Sequence, residues 1–192
     1  QMKRDMMAEV AATLAFSTIA NNDKVGVIFF SDKIEKFIPA QKGKTHVLHI
    51  IRELLSFEPT STGTDIAQAL QYFANAQKRH CTAFLISDFI GAGAMYKPLL
   101  IASNRHELNA IQIYDRREAE LPNLGLVKFH DAETGNDLWI DTAIASVRNN
   151  YAQAWRDNQN EIHQLFTRTG VNNISIRTDE DYVKALMHLF RC

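Results

Sequence analysis

The stretch Cys81–Phe89, CTAFLISDF, decides the fold class. Its apolar run of Cys, Phe, Leu and Ile, interrupted by a single Thr, reads as a strand buried on both faces, the kind found inside a parallel sheet. The run stops abruptly at Ser87-Asp88. In an open α/β sheet, ligands bind in the crevice outside the carboxyl ends of the strands. Asp88 is therefore a candidate functional carboxylate on position alone.

Working outward, the same pattern recurs. Val25–Phe30 (VGVIFF) closes at Ser31-Asp32, and Leu108–Tyr114 (LNAIQIY) closes at Asp115-Arg116-Arg117, a charged stretch read as a loop that ends at Pro122. Helical spacing of apolar residues predicts helices over about Lys3–Ala20, His46–Leu55, Ile66–Gln77, Met95–Ser103, Ala143–Thr169 and Tyr182–Phe190. Thr45 and Thr178 are the expected caps of two of them. Ile34–Ile38 reads as a short strand ended by a loop at Pro39 and Gly43, and Asn173–Arg177 as a last strand. Leu126–His130 and Leu138–Asp141 flank a polar turn and predict a β-hairpin. Strands alternating with helices imply a doubly wound, mostly parallel sheet with helices on both faces and an added hairpin, in one domain.

Composition narrows the function classes. Hydrophobic content of 46% and charged content of 22% are those of an ordinary globular protein. With 21 basic and 22 acidic residues, nothing predicts a nucleic-acid partner. No apolar run is long enough to predict membrane insertion by this segment. The two cysteines, Cys81 in the strand and Cys192 at the end, predict no disulfide and a reducing, cytoplasmic setting.

Several motif fragments fail on spacing. Gly43-Lys44-Thr45 matches the tail of a phosphate-binding loop, but Ile38 stands where the first glycine belongs. Gly91-Ala92-Gly93 lacks a third glycine, since Tyr96 occupies that place. His46 and His49 share a helix face without further ligands for zinc. Ser17, Ser31 and Ser87 have no Gly-x-Ser-x-Gly elbow. Asp179-Glu180-Asp181 puts negative charge at a helix start, which is structural.

Two features survive: Asp88, and the Gly63-Thr64-Asp65 turn before a helix. A hydroxyl and a carboxylate on adjacent loops at one sheet edge are hard oxygen ligands, suited to Mg²⁺ or Mn²⁺. Either Thr64 or Asp65 could equally serve as a helix cap, as could Asp88 for the helix after it.

Gly63-Thr64-Asp65-Ile66 together with Leu85-Ile86-Ser87-Asp88 resembles two of the three loops of the von Willebrand factor A (vWA) domain. That family carries a metal-ion-dependent adhesion site, to which the first loop gives Asp-x-Ser-x-Ser, the second a Thr and the third an Asp. Thr64 matches the second-loop Thr and Asp88 the third-loop Asp. The blocks Lys3–Glu9, Asn22–Gly26, Phe30–Asp32, Ile51–Leu55 and Asp131–Gly135 resemble a bacterial subgroup, domain of unknown function fifty-eight, often encoded beside MoxR-type AAA+ ATPases. The resemblance covers essentially the whole chain and implies a vWA-like domain without enzymatic activity. Such a domain would bind a partner carboxylate through a divalent ion, with a MoxR-type ATPase as partner. Asp65, Ser87, Asp32 and Gly63 would support the site or touch the partner.

No Asp-x-Ser-x-Ser occurs in residues 1–192. The resemblance therefore implies an N-terminally truncated domain with an incomplete metal site and a gap at the centre of its sheet. The strands flanking that gap must pair directly, or another segment or a second chain must fill it. The alternative function is a Mg-dependent hydrolase or phosphoryl-transfer enzyme, which would need Asp32 or Asp115 to converge on Asp88.

Overall fold

A computed structural model describes residues 2–61, 63–90, 95–130 and 137–190. The elements follow in the order α1 (Lys3–Asn21), β1 (Val25–Phe30), β2 (Ile34–Gln41), α2 (Lys44–Ser56), α3 (Ile66–Ala76), β3 (Thr82–Ser87) and α4 (Tyr96–Arg105). They continue with β4 (Glu107–Tyr114), α5 (Arg116–Ala119), β5 (Leu126–His130), β6 (Asp137–Asp141), α6 (Ala145–Thr169), β7 (Asn172–Arg177) and α7 (Tyr182–Leu189). The protein is mixed α/β, built on a three-stranded parallel sheet of order β3-β4-β7 with two separate antiparallel pairs, β1-β2 and β5-β6.

The central strand is β4, buried along all but its first and last residues. Its side chains alternate between two cores, as the two-residue period of a strand requires. Leu108 and Ala110 pack with Leu70, Leu99, Ile162 and Phe166, from α3, α4 and α6. Ile111 and Ile113 pack with Met6 and Val10 of α1 and Leu186 and Leu189 of α7. The polar side chains of β4 are satisfied along the ladder: Asn172 donates to Asn109 at 3.3 Å and Ser175 donates to Gln112 at 2.9 Å. A third core, Ala15, Phe29, Ile38, Val47 and Ile50, joins α1 and α2 to the β1-β2 pair.

The stretch Cys81–Phe89 forms a strand over Thr82–Ser87, but one that is not buried along its length. Within β3 only Leu85 and Ser87 are buried, because among the described residues β3 has a strand, β4, on one edge only. Direct pairing of β1 with β3 is likewise absent: no ladder joins them among the described residues, and a cleft of about 640 Å³ lies between them.

Four local expectations need correcting. β2 runs through Pro39 to Gln41. Proline is tolerated there because β2 pairs only with β1 and keeps a free edge. Thr45 does not cap α2, which starts two residues earlier, at Lys44 after Gly43, without a side-chain cap. Thr178 does not cap α7; Asp181 does, accepting from the Val183 amide at 3.0 Å, while Thr178 donates to Asp115 at 3.1 Å. Asp115-Arg116-Arg117 is not a loop but the start of α5, held by a reciprocal capping box between Asp115 and Glu118. The hairpin strands form in register, with Lys128 opposite Trp139. The predicted turn at 131–136, Gly91-Ala92-Gly93 and Cys192 lie outside the described residues.

Candidate functional site

The carboxyl ends of β1 and β3 lie on the same side of the molecule. The Asp65 amide donates to the Ser31 carbonyl at 2.8 Å, so α3 begins where β1 ends, then runs back to feed β3. This edge carries two polar clusters.

The first cluster belongs to β1 and the loop before α3. Ser31, 5% exposed, donates to Glu35 at 2.7 Å and approaches Asp32 at 3.2 Å. Thr60 donates to Glu35 from both its amide and its hydroxyl, each at 3.0 Å. Hydrogen bonds from Ser31 and then Thr60 hold the Glu35 carboxyl below its ordinary value. The chain passes close above Asp32 at Gly63, where a Cβ would lie 3.3 Å from that of Asp32. Asp65 caps α3, accepting from the Gln68 amide at 2.9 Å, so its structural role is the one observed. Thr64 is exposed and makes no hydrogen bond among the described residues.

The second cluster surrounds Asp88. Ser87 Oγ accepts from the Phe89 amide at 3.1 Å, and Asp88 Oδ1 accepts from the Ile90 amide at 3.2 Å. These two bonds fold the chain into a tight turn in which Phe89 takes a left-handed φ of 56°. Asp88 thus caps its own turn rather than the next helix. Gln112 Nε2 donates to the Asp88 carbonyl at 3.0 Å and ties the turn to β4. The Asp88 carboxylate pairs with Lys3 Nζ at 2.8 Å, and Lys3 also pairs with Glu118. Glu118 in turn accepts from the Asp115 amide at 3.1 Å. Partial burial works to lower the Lys3 pKa, but hydrogen bonds to Asp88 and Glu118 outweigh it and leave the pKa raised above 10.5.

Lys3 and Glu118 were not evident as site residues. Glu118 carried a signal in the Asp115-x-x-Glu118 capping pattern, whereas Lys3 meets Asp88 only through the tertiary fold. Replacing Lys3 with Met is expected to cost about 1–2 kcal/mol by leaving two half-buried carboxylates without their cation. Because the Lys3 pKa is raised on folding, its contribution is fully present below 10.5 and fades as pH climbs through the higher folded value. Urea unfolding of wild type and K3M should therefore show a constant gap near neutrality that narrows only at strongly alkaline pH. A gap that vanished on acidifying to pH 6 would contradict this.

Among the described residues no hydrogen bond or ion pair joins the loops that carry Thr64 and Asp88. No group of three His, Cys, Asp or Glu residues suited to a metal occurs there either. Two oxygen ligands, one already paired with an ammonium, are too few for Mg²⁺ or Mn²⁺. Residues 1–192 on their own thus do not fit the complete ion site that the vWA resemblance implies.

At the opposite edge, the Cys81 thiol lies 3.6 Å from His106 Nδ1. Burial raises the Cys81 pKa and lowers that of His106, so both groups are held neutral. This is the reverse of an activated thiolate–imidazolium pair.

Comparison with known proteins resolves the family. The model described as "Protein of unknown function DUF58" matches residues 1–161. The chain belongs to the DUF58 family. Relatives of this DUF58 chain include the uncharacterized protein Rv1480 of Mycobacterium tuberculosis (strain H37Rv), 29% identical over 185 residues. That match covers 94% of this chain and 57% of the relative, so the chain spans little more than half the mycobacterial protein's length. An uncharacterized protein of Mycobacterium avium, MAV169, is 28% identical over 80% of this chain and 92% of its own. Among solved structures, the DUF58 chain is similar in fold to a conserved hypothetical protein, BatB, from Bacteroides thetaiotaomicron, with TM-score 0.56 and 16% identity over 96% of this chain and 86% of that one. An aerotolerance-related membrane protein from Bacteroides fragilis gives the same TM-score at 17% identity, over 96% of this chain and 89% of its own. No helix among the described residues is long and apolar enough to cross a membrane.

Proposed function

We propose that this DUF58 chain is the greater part of a vWA-like, doubly wound protein-interaction module that catalyses no reaction. Its docking face is the edge formed by the carboxyl ends of β1 and β3. What supports this reading is that the loop of Thr64 meets the end of β1, through the Asp65 amide on the Ser31 carbonyl, while Asp88 follows β3 at the same edge; Thr64 is exposed and, among the described residues, without a hydrogen bond. Buried polar groups are normally satisfied, whereas an exposed hydroxyl at a strand-end crevice is free to meet a ligand.

In the intact protein, Thr64 and Asp88 would contribute to holding Mg²⁺ or Mn²⁺, with the remaining ligands supplied from outside residues 1–192. The ion would then accept a carboxylate of the partner. Asp65, Ser87, Asp32 and Gly63 shape the two loops, as their caps and close contacts indicate. The family resemblance points to a MoxR-type AAA+ ATPase as that partner, in a reducing, cytoplasmic setting. The enzymatic alternative has less support. Asp115 is committed to the Arg117 amide at 2.8 Å and to Thr178, and Asp32 is grouped with Ser31 and Gly63 rather than with Asp88.

The test is Mn²⁺ binding to the full-length protein, read by electron paramagnetic resonance. A T64A, D88A double variant is expected to lose at least about tenfold in affinity, the loss corresponding to 1.4 kcal/mol. Unchanged affinity in the double variant refutes the metal reading. Mg²⁺-dependent phosphatase turnover that disappears in D88A refutes the non-enzymatic one.

A further inference from the structure

His106 lies away from the strand-end loops, at the amino end of the sheet where α4 turns into β4. Its amide donates to the Ala102 carbonyl at 2.9 Å and closes α4, and the next amide, of Glu107, donates to the Cys81 carbonyl at 3.0 Å and opens the β3-β4 ladder. The residue is 3% exposed, and its ring lies against Phe73 of α3 with 4.7 Å between centroids. Nδ1 faces the Cys81 thiol at 3.6 Å, while Nε2 is buried with no hydrogen-bond partner among the described residues. A neutral imidazole has one donor and one acceptor, so this setting leaves a ring nitrogen unmet in either tautomer. An imidazolium has two donors and a charge, and here it meets no carboxylate. The groups that face it are the uncharged Phe73 from α3, Arg105 from α4, and His80 and Cys81 from the loop before β3. Arg105 donates to the Ala74 carbonyl at 3.5 Å, and the adjacent carboxylate, Glu107 of β4, accepts from the Thr82 hydroxyl at 2.9 Å.

We propose that His106 is an acid-sensitive joint: on taking up a proton its ring leaves the space between α3 and the start of β4, and the carboxyl ends of α3 and α4 come away from the first rung of the β3-β4 ladder. A buried charge without a counter-charge or acceptor is costly, and the way to hydrate it is to open the joint. Two cationic neighbours, Arg105 and a protonated His80, add repulsion to the cost of burial. Burial first, and then those neighbours, hold His106 below its ordinary value of 6.5. The sign follows from that direction. The stabilisation that neutral His106 gives is fully present above 6.5 and is lost as pH falls through the lower folded value. The opening is local, because the middle of β4 is held on both faces by cores that do not include His106. The joint is separate from the strand-end edge and stands whether or not that edge binds a metal.

Hydrogen–deuterium exchange on the full-length protein tests it, with rates corrected for the intrinsic effect of pH. Three amides report on the joint: Gln77, which donates to the Phe73 carbonyl at 2.8 Å, His106 and Glu107. Between about pH 7.5 and about pH 5.5 their protection should fall about tenfold, the factor set by one histidine that is neutral when the joint is closed and ordinary when it is open. Ala110 and Ile111, in the middle of β4, should keep theirs. In H106F, where a ring of similar shape carries no proton, the fall should disappear, and in H80Q it should remain. A fall that persists in H106F, or that disappears in H80Q, overturns the proposal. Should H106F fail to fold, the wild type decides alone through the ring proton resonances of His106. Protonation that coincides with the loss of protection supports the joint, whereas a titration at about 6.5 with protection unchanged overturns it.

Discussion

Replacing Phe89 with glycine should destabilise the protein by about 3 kcal/mol, although it relieves backbone strain. Two effects oppose each other. Phe89 sits at φ 56°, where a side chain other than glycine costs of order 1 kcal/mol. Its ring, however, is fully buried and meets Phe166 edge-on at 5.1 Å between centroids. Removing a buried aromatic costs about 3–5 kcal/mol, so the cavity wins. The alanine variant decides whether strain is present at all. Alanine loses the same ring but keeps the penalty of the left-handed region, so F89A should be less stable than F89G by up to about 1 kcal/mol. At an ordinary backbone position alanine is the more stable of the two. Denaturant unfolding of the three proteins gives the order, and F89A more stable than F89G would contradict a strained turn.

The second large effect is expected at Gly26, where exposure would suggest tolerance. A Cβ there would lie 2.7 Å from the Ile38 carbonyl oxygen and 2.8 Å from the Ala40 nitrogen, both backbone atoms that no rotamer change can move aside. The register explains the crowding. Val25 faces Gln41 and Val27 faces Ile38, so β2 carries one more residue than β1 across this step and bulges toward Gly26. G26A should therefore cost about 1–3 kcal/mol by forcing β1 and β2 apart, against the 0.5 kcal/mol or less typical of exposed sites. A thermal unfolding midpoint equal to wild type would refute it. The loss should appear as faster exchange in β1 and β2 before it reaches β4, because the β1-β2 pair has its own core around Phe29 and Ile38.

The sequence carried the local elements well because their signals are local. Val25–Phe30, Leu108–Tyr114 and the long helix ending at Thr169 all appear within a residue or two of where periodicity places them. The errors have a common physical origin in neighbours that sequence periodicity does not report. An apolar run identifies a strand, but how far it is buried depends on what lies at both its edges: Cys81–Ser87 and Leu108–Tyr114 read alike as buried strands, and only the second is buried along its length. Pro39 reads as a loop because proline breaks a central ladder, yet among the described residues β2 pairs only with β1 and has an edge that does not need its N–H. Asp115-Arg116-Arg117 looks like a charged loop because four helical residues show no period, and only the Asp-x-x-Glu pattern betrays α5. At the site, the sequence shows that Thr64 lies in the loop before α3 and Asp88 just after β3. The cation that Asp88 holds was not legible, because Lys3 lies 85 residues away in the chain.

Thr142 gives the β5-β6 hairpin a particular standing in the molecule. It is buried, accepts from the Leu124 amide at 2.9 Å, and donates to the Gly125 carbonyl from both its amide and its hydroxyl at 2.8 Å. The two ends of the hairpin are thus pinned together at its base, and among the described residues its strands pair with no third strand. Leu138 and Trp139 are exposed and contribute to none of the three cores. The chain leaves the body at Gly125 and re-enters at Thr142, where three hydrogen bonds hold the two ends together. A change confined to the exposed Leu138 or Trp139 is therefore expected to leave the three cores, and the strand-end loops they support, in place.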